Sequence, residues 1–207
     1  MADKEQKQTF FFTDEDEDKM LGIIQSDAEL KERCDVLREI GRVATVKSVE
    51  PMAALLGDEV LAHRARYALE MMPFPEVDVA LRKAMKEQKG NLLAGIIMSL
   101  GNRRDTAAVD MIAEQLGSSD PAVALASAYA LGDIGTQDAA NALEAVLPDS
   151  TGTQRDAICE GLLRAAEAMK AAGWDENALA VYDRLRIIKE PRHVREAAMM
   201  SSVAMRS

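Results

Sequence analysis

The sequence repeats itself with a period of 31 residues. Leu131-Gly132 lies 31 positions after Leu100-Gly101, and Leu69 lies another 31 positions before Leu100. Self-similarity at a fixed period of about 20–50 residues is typical of solenoids, in which each unit packs mainly on its neighbours. The period therefore predicts a stack of similar units. Three more apolar columns keep the same spacing: Ala139, Ala108 and Val77; Leu143, Ile112 and Leu81; Leu147, Leu116 and Met85.

Each unit contains two helical patterns. The stretch 104–116 places its apolar residues on one stripe, which is the pattern of an amphipathic helix with one buried face. The stretches 91–100 and 121–131 are apolar almost all round, as expected of helices covered on several sides. Only 4% of residues are aromatic, which disfavours a β-sandwich. We predict an all-α fold, a right-handed α-α superhelix of about five helical hairpins plus terminal helices.

Residues typical of helix starts and ends lie at the boundaries of the predicted helices. Asp120-Pro121 is typical of a helix start, with a capping residue followed by proline at the first helical position. Gly101, Gly132 and Gly135 are predicted to end the first helix of their units. Pro51 falls inside the second helix of the first unit, so a late start or a kink is expected there.

The domain organisation follows from the repeats. We predict a flexible or docking segment over residues 1–13 and a single solenoid domain over 14–207. The last helix opens after Pro191 and is expected to have no partner within the chain. The predicted repeats are about 28–56, 58–88, 90–117, 120–148 and 152–189, followed by a final helix over 191–205.

The turn Leu131-GDIG, followed by Ala139 and Leu143, resembles the turn of HEAT-like repeats. The variant is similar to the short bacterial form that also occurs in phycobilisome-lyase-type repeat proteins. The resemblance covers about 28–150 well and the remainder loosely. It implies an armadillo-like α-solenoid whose surface binds another macromolecule, which we expect to be a protein.

The charge balance excludes some partners. Asp and Glu outnumber Lys and Arg by 35 to 25, which gives a net charge of −10. A nucleic-acid surface needs cations, so no nucleic-acid partner is predicted. No stretch is apolar over the roughly 18 residues that a membrane helix needs. The two cysteines are far apart in the sequence, which favours free thiols and a cytoplasmic location.

No metal site or cofactor is predicted. In the deoxyhypusine hydroxylases, which are HEAT-repeat enzymes, repeated His-Glu pairs hold two irons. Here His63 is followed by Arg64 and His193 by Val194, so that motif is absent. Two histidines so far apart do not supply a metal cluster by themselves.

The residues that most suggest a catalytic pair are Cys34 and His63. Each lies six positions before its unit's reference apolar residue, so the two share a column in adjacent repeats. Neighbouring helices pack about 8–10 Å apart, which lets the two side chains approach each other. A Cys–His dyad can make a nucleophilic thiolate. Ala94 and Leu125 occupy the same column, however, and indicate a packing position.

Candidate partner-binding residues lie outside the repeat columns. The tract Phe10–Phe12 either caps the first repeat or docks on another subunit. Arg103 and Arg104 have two possible roles. They either bind a carboxylate or phosphate on a partner, or they interact with the negative end of the helix dipole and pair with nearby acids, Asp105 or Asp133. Trp174 is a further candidate, and the final helix is a candidate for self-association. The predicted partner-binding residues are Phe10, Phe11, Phe12, Arg103, Arg104 and Trp174.

These observations lead to a prediction of function. We expect a non-enzymatic scaffold or adaptor, because stacked helix pairs give an elongated surface for contact. No catalytic residue is predicted under this interpretation. The alternative is a lyase or another enzyme of the HEAT-like repeat class, with a small-molecule pocket near Cys34 and His63.

Overall fold

The computed structural model of the chain describes residues 14–189 and 191–207, so Phe10–Phe12 lie outside the described residues. Within the described ranges the secondary structure consists of helices and turns, which confirms the predicted all-α fold. Short 3-10 turns precede α3 and α7 and follow α9. The helices are α1 (Asp14–Gln25), α2 (Leu30–Ile40), α3 (Val49–Ala53), α4 (Ala62–Met71), α5 (Pro75–Glu87), α6 (Gly90–Asn102), α7 (Val109–Ala113), α8 (Pro121–Ile134), α9 (Gln137–Val146), α10 (Gly152–Ala171), α11 (Asp175–Leu185) and α12 (Arg192–Ala204).

The helices form two layers. Helices α2, α4, α6, α8 and α10 pack side by side in chain order and form the first layer. Helices α3, α5, α7, α9 and α11 each pack on first-layer helices and form the second layer. The column that begins at Leu69 and Leu100 continues through Leu131 to Leu162, and all four side chains are buried between the layers. The 31-residue period thus sets the spacing of one continuous core.

Two glycines of the first layer serve close packing rather than helix termination. Gly101 and Gly132 lie within α6 and α8, so the prediction that they end these helices is wrong. A Cβ atom on Gly132 would meet the backbone oxygen of Gly161, in α10, at 2.7 Å. Gly135 does end α8, with a left-handed φ of 67°, as predicted.

One second-layer helix, α7, is shorter than its sequence pattern predicts. The expected helix over 104–116 is a 3-10 turn followed by the five residues of α7. Arg104 has a left-handed φ of 53°, which turns the chain sharply at the end of α6. Asp105 then accepts a hydrogen bond from the Ala107 N–H at 3.2 Å and caps the turn. In the first unit α3 begins late, at Val49, as the presence of Pro51 predicts.

The final helix has partners within the chain, contrary to prediction. Helix α12 packs against α10 and α11, with Val194 and Ala198 fully buried in the contact. Its opposite face leaves three large apolar side chains exposed, Met199, Met200 and Val203.

Helix α1 is fastened to the first repeat by a buried carboxylate. Glu17 accepts hydrogen bonds from the Thr45 N–H at 2.8 Å and from the Ser48 hydroxyl at 2.5 Å. Burial raises the pKa of Glu17, but the hydrogen bonds from Ser48 and Thr45 outweigh it, so the pKa is lowered. The carboxylate therefore occupies the place of an N-cap at the start of the 3-10 turn before α3.

Candidate functional site

A cleft of about 530 Å³ opens between α2 and α4 on the first layer, and we call it the α2/α4 cleft. Its volume is within the range of small-molecule sites. Its lining combines cationic, aromatic and apolar side chains with a thiol and contains no acidic residue. The lining residues are Cys34, Leu37, Arg38, Arg42, His63, Arg64, Tyr67 and Met71.

The structure brings Cys34 and His63 to the same cleft. Cys34 lies on α2 and is 8% exposed, and its thiol is free. His63 lies on α4 and is exposed. The shared repeat column placed the two residues on neighbouring helices, and both line the opening between these helices. In later units the same column holds Ala94 and Leu125, which pack against the core.

The hydrogen bonding of His63 determines what its ring offers to the cleft. Arg66 Nη2 lies 3.2 Å from His63 Nδ1. A guanidinium only donates hydrogen bonds, so Nδ1 accepts this one and carries no proton. In the neutral ring the proton is then on Nε2. With its ring proton on Nε2, His63 offers a hydrogen-bond donor, which suits an anionic group.

Arg66 itself is held in a network between α4 and α6. It donates to the Gly95 carbonyl at 2.8 Å and to the Ser99 hydroxyl at 3.2 Å. Ser99 in turn donates to Glu70 at 2.6 Å. Burial lowers the pKa of Arg66, although the nearby charge of Glu70 opposes the shift. The network holds Arg66 in place beside His63. The sequence analysis did not predict it. One sign was available, because Gly95 leaves the space that the long side chain of Arg66 fills.

The cleft arginines are free to reorient. Arg38 pairs with Asp35 and Arg42 with Glu39, each at 3.0 Å and on exposed surface. Such exposed pairs contribute about 0–1 kcal/mol each. An anionic ligand can therefore draw both guanidinium groups into the cleft at small cost, beside the exposed Arg64.

The guanidinium group of Arg103 is bonded to other residues of the chain. Its side chain is 12% exposed, it forms an ion pair with Asp78, and it donates to the carbonyls of Met72 at 2.7 Å and Phe74 at 3.1 Å. The expected partners, Asp105 and Asp133, pair instead with other arginines. Arg103 thus ties α6 to the end of α4 and the start of α5.

The other predicted partner-binding residues remain predictions. Arg104 is exposed at its left-handed turn, and Trp174 is 47% exposed just before α11. The exposed methionines of α12 are compatible with self-association, which likewise stays a prediction. Phe10, Phe11 and Phe12 lie outside the described residues.

Cys159 contrasts with Cys34. It is fully buried in α10, and burial raises the pKa of its thiol to about 11. Among the described residues, no group of three or more His, Cys, Asp and Glu side chains is placed to hold a metal ion. In the same part of the chain no helix is long and apolar enough to cross a membrane.

Comparison with known proteins identifies the repeat. Residues 77–163 match the family described as HEAT repeats, which confirms the predicted HEAT-like repeat. No curated protein matches the sequence. The fold is similar to the solved structure of human deoxyhypusine hydroxylase in complex with glycerol, at 13% identity and a TM-score of 0.49, over 92% of this chain and 96% of that one.

That similarity corrects two predictions. We predicted a non-enzymatic scaffold and no enzyme activity, and the solved structure that resembles this chain is that of an enzyme. The inference that a solenoid shape indicates a non-catalytic role was therefore wrong. At this identity and TM-score the likeness concerns the fold, and it brings no substrate or reaction to this chain.

Proposed function

We propose that the chain is an enzyme of the HEAT-like repeat class that acts on an anionic small molecule in the α2/α4 cleft. One observation carries the proposal. The cleft is lined by three arginines, a histidine and a thiol, with no acid, in a chain whose net charge is −10. Such a local reversal of charge concentrates anions at the cleft and speeds their arrival.

The arginines account for recognition of the anion. Guanidinium groups bind carboxylates and phosphates through two parallel hydrogen bonds, which fixes orientation as well as charge. Arg38 approaches from α2 and Arg42 from the turn that follows it, whereas Arg64 approaches from α4. The Nε2–H of His63 adds a donor on the α4 side.

The apolar lining accounts for the rest of the substrate. Leu37, Tyr67 and Met71 form the apolar part of the wall. Tyr67 and Met71 are exposed. An apolar group bound there removes their surface from water, at about 25 cal/mol per Å². We therefore infer a substrate with an acidic group and an apolar body.

Cys34 supplies the reacting group. A thiol is the strongest nucleophile among the lining residues once it loses its proton. In the proposed reaction, the Cys34 thiol adds to an electrophilic carbonyl carbon of a substrate whose acidic group is held by the arginines. The S–C bond forms as the π bond of the carbonyl group breaks, and the thiol proton passes to the carbonyl oxygen. Cys159 lies buried in α10 and takes no part.

The binding half of this proposal is tested with 8-anilinonaphthalene-1-sulfonate, an anionic and apolar fluorescent probe. We expect it to bind the chain, and Arg64→Ala to raise its Kd about tenfold, which corresponds to about 1.4 kcal/mol. Arg164→Ala is the matched control, because Arg164 is an exposed first-layer arginine outside the cleft. N-phenyl-1-naphthylamine, which lacks the sulfonate, should show no dependence on Arg64.

The outcomes separate binding from chemistry. Equal Kd values for Arg64→Ala and Arg164→Ala would show that the cleft does not select anions. Turnover of an anionic substrate should disappear in Cys34→Ala while probe binding persists. Turnover that survives Cys34→Ala would remove the thiol from the mechanism.

A further inference from the structure

A second depression adjoins the α2/α4 cleft on the first layer, and we call it the Glu70 subsite. It has a volume of about 400 Å³ and is lined by Tyr67, Glu70, Met71, Asn102 and Arg103. Tyr67 and Met71 also line the α2/α4 cleft, so the two depressions share a wall. A molecule bound in the cleft can therefore extend across this wall into the subsite.

The subsite presents a negative charge, in contrast to the cationic cleft. Glu70 is the one acidic side chain among the described residues that line it. The Ser99 hydroxyl and the Asn102 side-chain amide donate hydrogen bonds to the Glu70 carboxylate, at 2.6 and 3.0 Å. An ionised carboxylate has about four acceptor sites, so these bonds hold Glu70 in place and leave it able to accept more.

Two arginines lie near Glu70, and both are held by other groups. Arg103 pairs with Asp78 and is 12% exposed. Arg66, whose charge interacts with that of Glu70, donates to the Gly95 carbonyl at 2.8 Å and lies outside the lining of the subsite. Glu70 is therefore able to bind a cation that enters the subsite from solvent.

Helix α4 fixes the spacing between the cationic cleft and the acidic subsite. Arg64 and Glu70 are six residues apart on this helix, which corresponds to about 9 Å along its axis. Tyr67 lies between them in the sequence and is 58% exposed, so its ring supplies apolar surface between the two charges. The groove thus suits a ligand with an anion at one end, a cation at the other and an apolar middle.

We infer that the substrate is a short peptide with free ends, about three residues long. Its carboxylate binds the arginines of the cleft, its ammonium group donates to Glu70, and its central apolar side chain packs on Tyr67. An extended chain spans about 3.5 Å per residue, so three residues cover about 10 Å. A peptide also carries the carbonyl groups that the reaction of Cys34 requires. This inference rests on the proposed function and names its class of substrate.

Displacement of 8-anilinonaphthalene-1-sulfonate from the full chain tests the inference. The competitors are the tripeptide Gly-Leu-Gly, its N-acetylated form, which lacks the ammonium group, and its C-terminal amide, which lacks the carboxylate. We expect the free tripeptide to displace the probe at a concentration about tenfold lower than either blocked form, because each blocked form has lost one charged hydrogen-bonding group.

Substitution of Glu70 assigns the ammonium group to the subsite. Glu70→Gln should reduce the preference for the free over the acetylated tripeptide from about tenfold to less than about twofold, because the charge of the acceptor is lost. The affinity for the probe should stay unchanged, which shows that the cleft is intact. Glu167→Gln is the matched control, because Glu167 is an exposed first-layer carboxylate outside both depressions, and it should keep the preference.

The outcomes separate this inference from the proposed function. Equal displacement by the free tripeptide and either blocked form would overturn the inference. A preference for the free ammonium group that survives in Glu70→Gln would overturn it as well, because another residue would then bind that group. Both results leave the proposed function standing as long as probe binding depends on Arg64. Loss of the Arg64 dependence would overturn the proposed function and, with it, the inference.

Discussion

Two contacts between neighbouring first-layer helices are built in opposite ways. Between α4 and α6 the contact is polar, with Arg66, Glu70 and Ser99 hydrogen-bonded across it. Between α8 and α10 it is made by glycines, since Gly132 and Gly161 bring the two backbones together. The period is the same in both places. The side chains in each column therefore decide whether neighbouring helices close tightly or leave room for polar groups.

The difference explains where the candidate site lies. In the columns of His63 and Arg64 the later units carry Ala94 and Gly95, and then Leu125 and Ala126. Small or apolar residues occupy these columns in the later helices, whereas in α4 the polar side chains of His63 and Arg64 are exposed and line the cleft. The cleft thus occurs where the repeat departs from its own apolar pattern.

The largest effect is expected at the glycine contact. Gly132→Ala places a Cβ atom 2.7 Å from a backbone oxygen that has little freedom to move, and we expect a loss of about 3 kcal/mol of unfolding free energy. Gly22→Ala, in α1, is the matched control, because a Cβ atom on Gly22 would have no neighbouring atom within 4 Å. There the better helix propensity of alanine should raise stability by about 0.5–1 kcal/mol. Urea unfolding of both variants checks this, and a neutral Gly132→Ala would disprove the close contact.

Arg103→Ala tests a second polar contact, which joins the end of α6 to the end of α4 and the start of α5. The substitution leaves Asp78 and the carbonyls of Met72 and Phe74 without their donor, so we expect a loss of about 2 kcal/mol. Lys19→Ala, which breaks an exposed pair with Glu15, should change stability by less than about 0.5 kcal/mol. Similar losses in both variants, measured by urea unfolding, would show that Arg103 contributes no more than a surface charge.

The attachment of α1 should depend on pH. The pKa of Glu17 is lowered in the folded chain, so its stabilising effect is fully present above its unfolded pKa, roughly 4.3, and is lost as the pH falls through the folded value. Glu17→Gln should cost about 1–2 kcal/mol at pH 7 and less as the pH falls below about 4. Thermal unfolding against pH measures this. Glu15→Gln, on the exposed side of α1, is the control and should change stability at pH 7 by less than about 0.5 kcal/mol.

The smallest effect concerns the turns that end the first helices. Gly135 and Arg104 are 31 residues apart and both have left-handed φ, but only the glycine adopts it without strain. Arg104→Gly should therefore raise the unfolding free energy by about 0.5–1 kcal/mol. A drop in thermal stability would show instead that the Arg104 side chain contributes contacts to the fold.

The sequence could predict the layers but not the detail of the contacts. The repeat pattern predicts that Cys34 and His63 lie on neighbouring helices, because each is six positions before the reference apolar residue of its unit, Ile40 or Leu69. It could not distinguish Gly132, which allows close packing, from Gly135, which ends a helix, since both follow the same apolar run. The arginine contacts were also beyond prediction, because a long side chain reaches several partners and the fold selects one. Arg103 binds Asp78 from the preceding unit, which no local pattern indicates.

The central claim is that Cys34 lies in a cleft that selects anions. Site-resolved alkylation, measured by mass spectrometry, tests it with iodoacetate and with the neutral iodoacetamide. We expect Cys34 to favour iodoacetate over iodoacetamide by about tenfold relative to a free thiol, and to lose this preference in Arg64→Ala. Cys159 should stay unmodified by both reagents. The claim would be contradicted if Cys34 had the same preference for iodoacetate over iodoacetamide as a free thiol, and if Arg64→Ala left that preference unchanged.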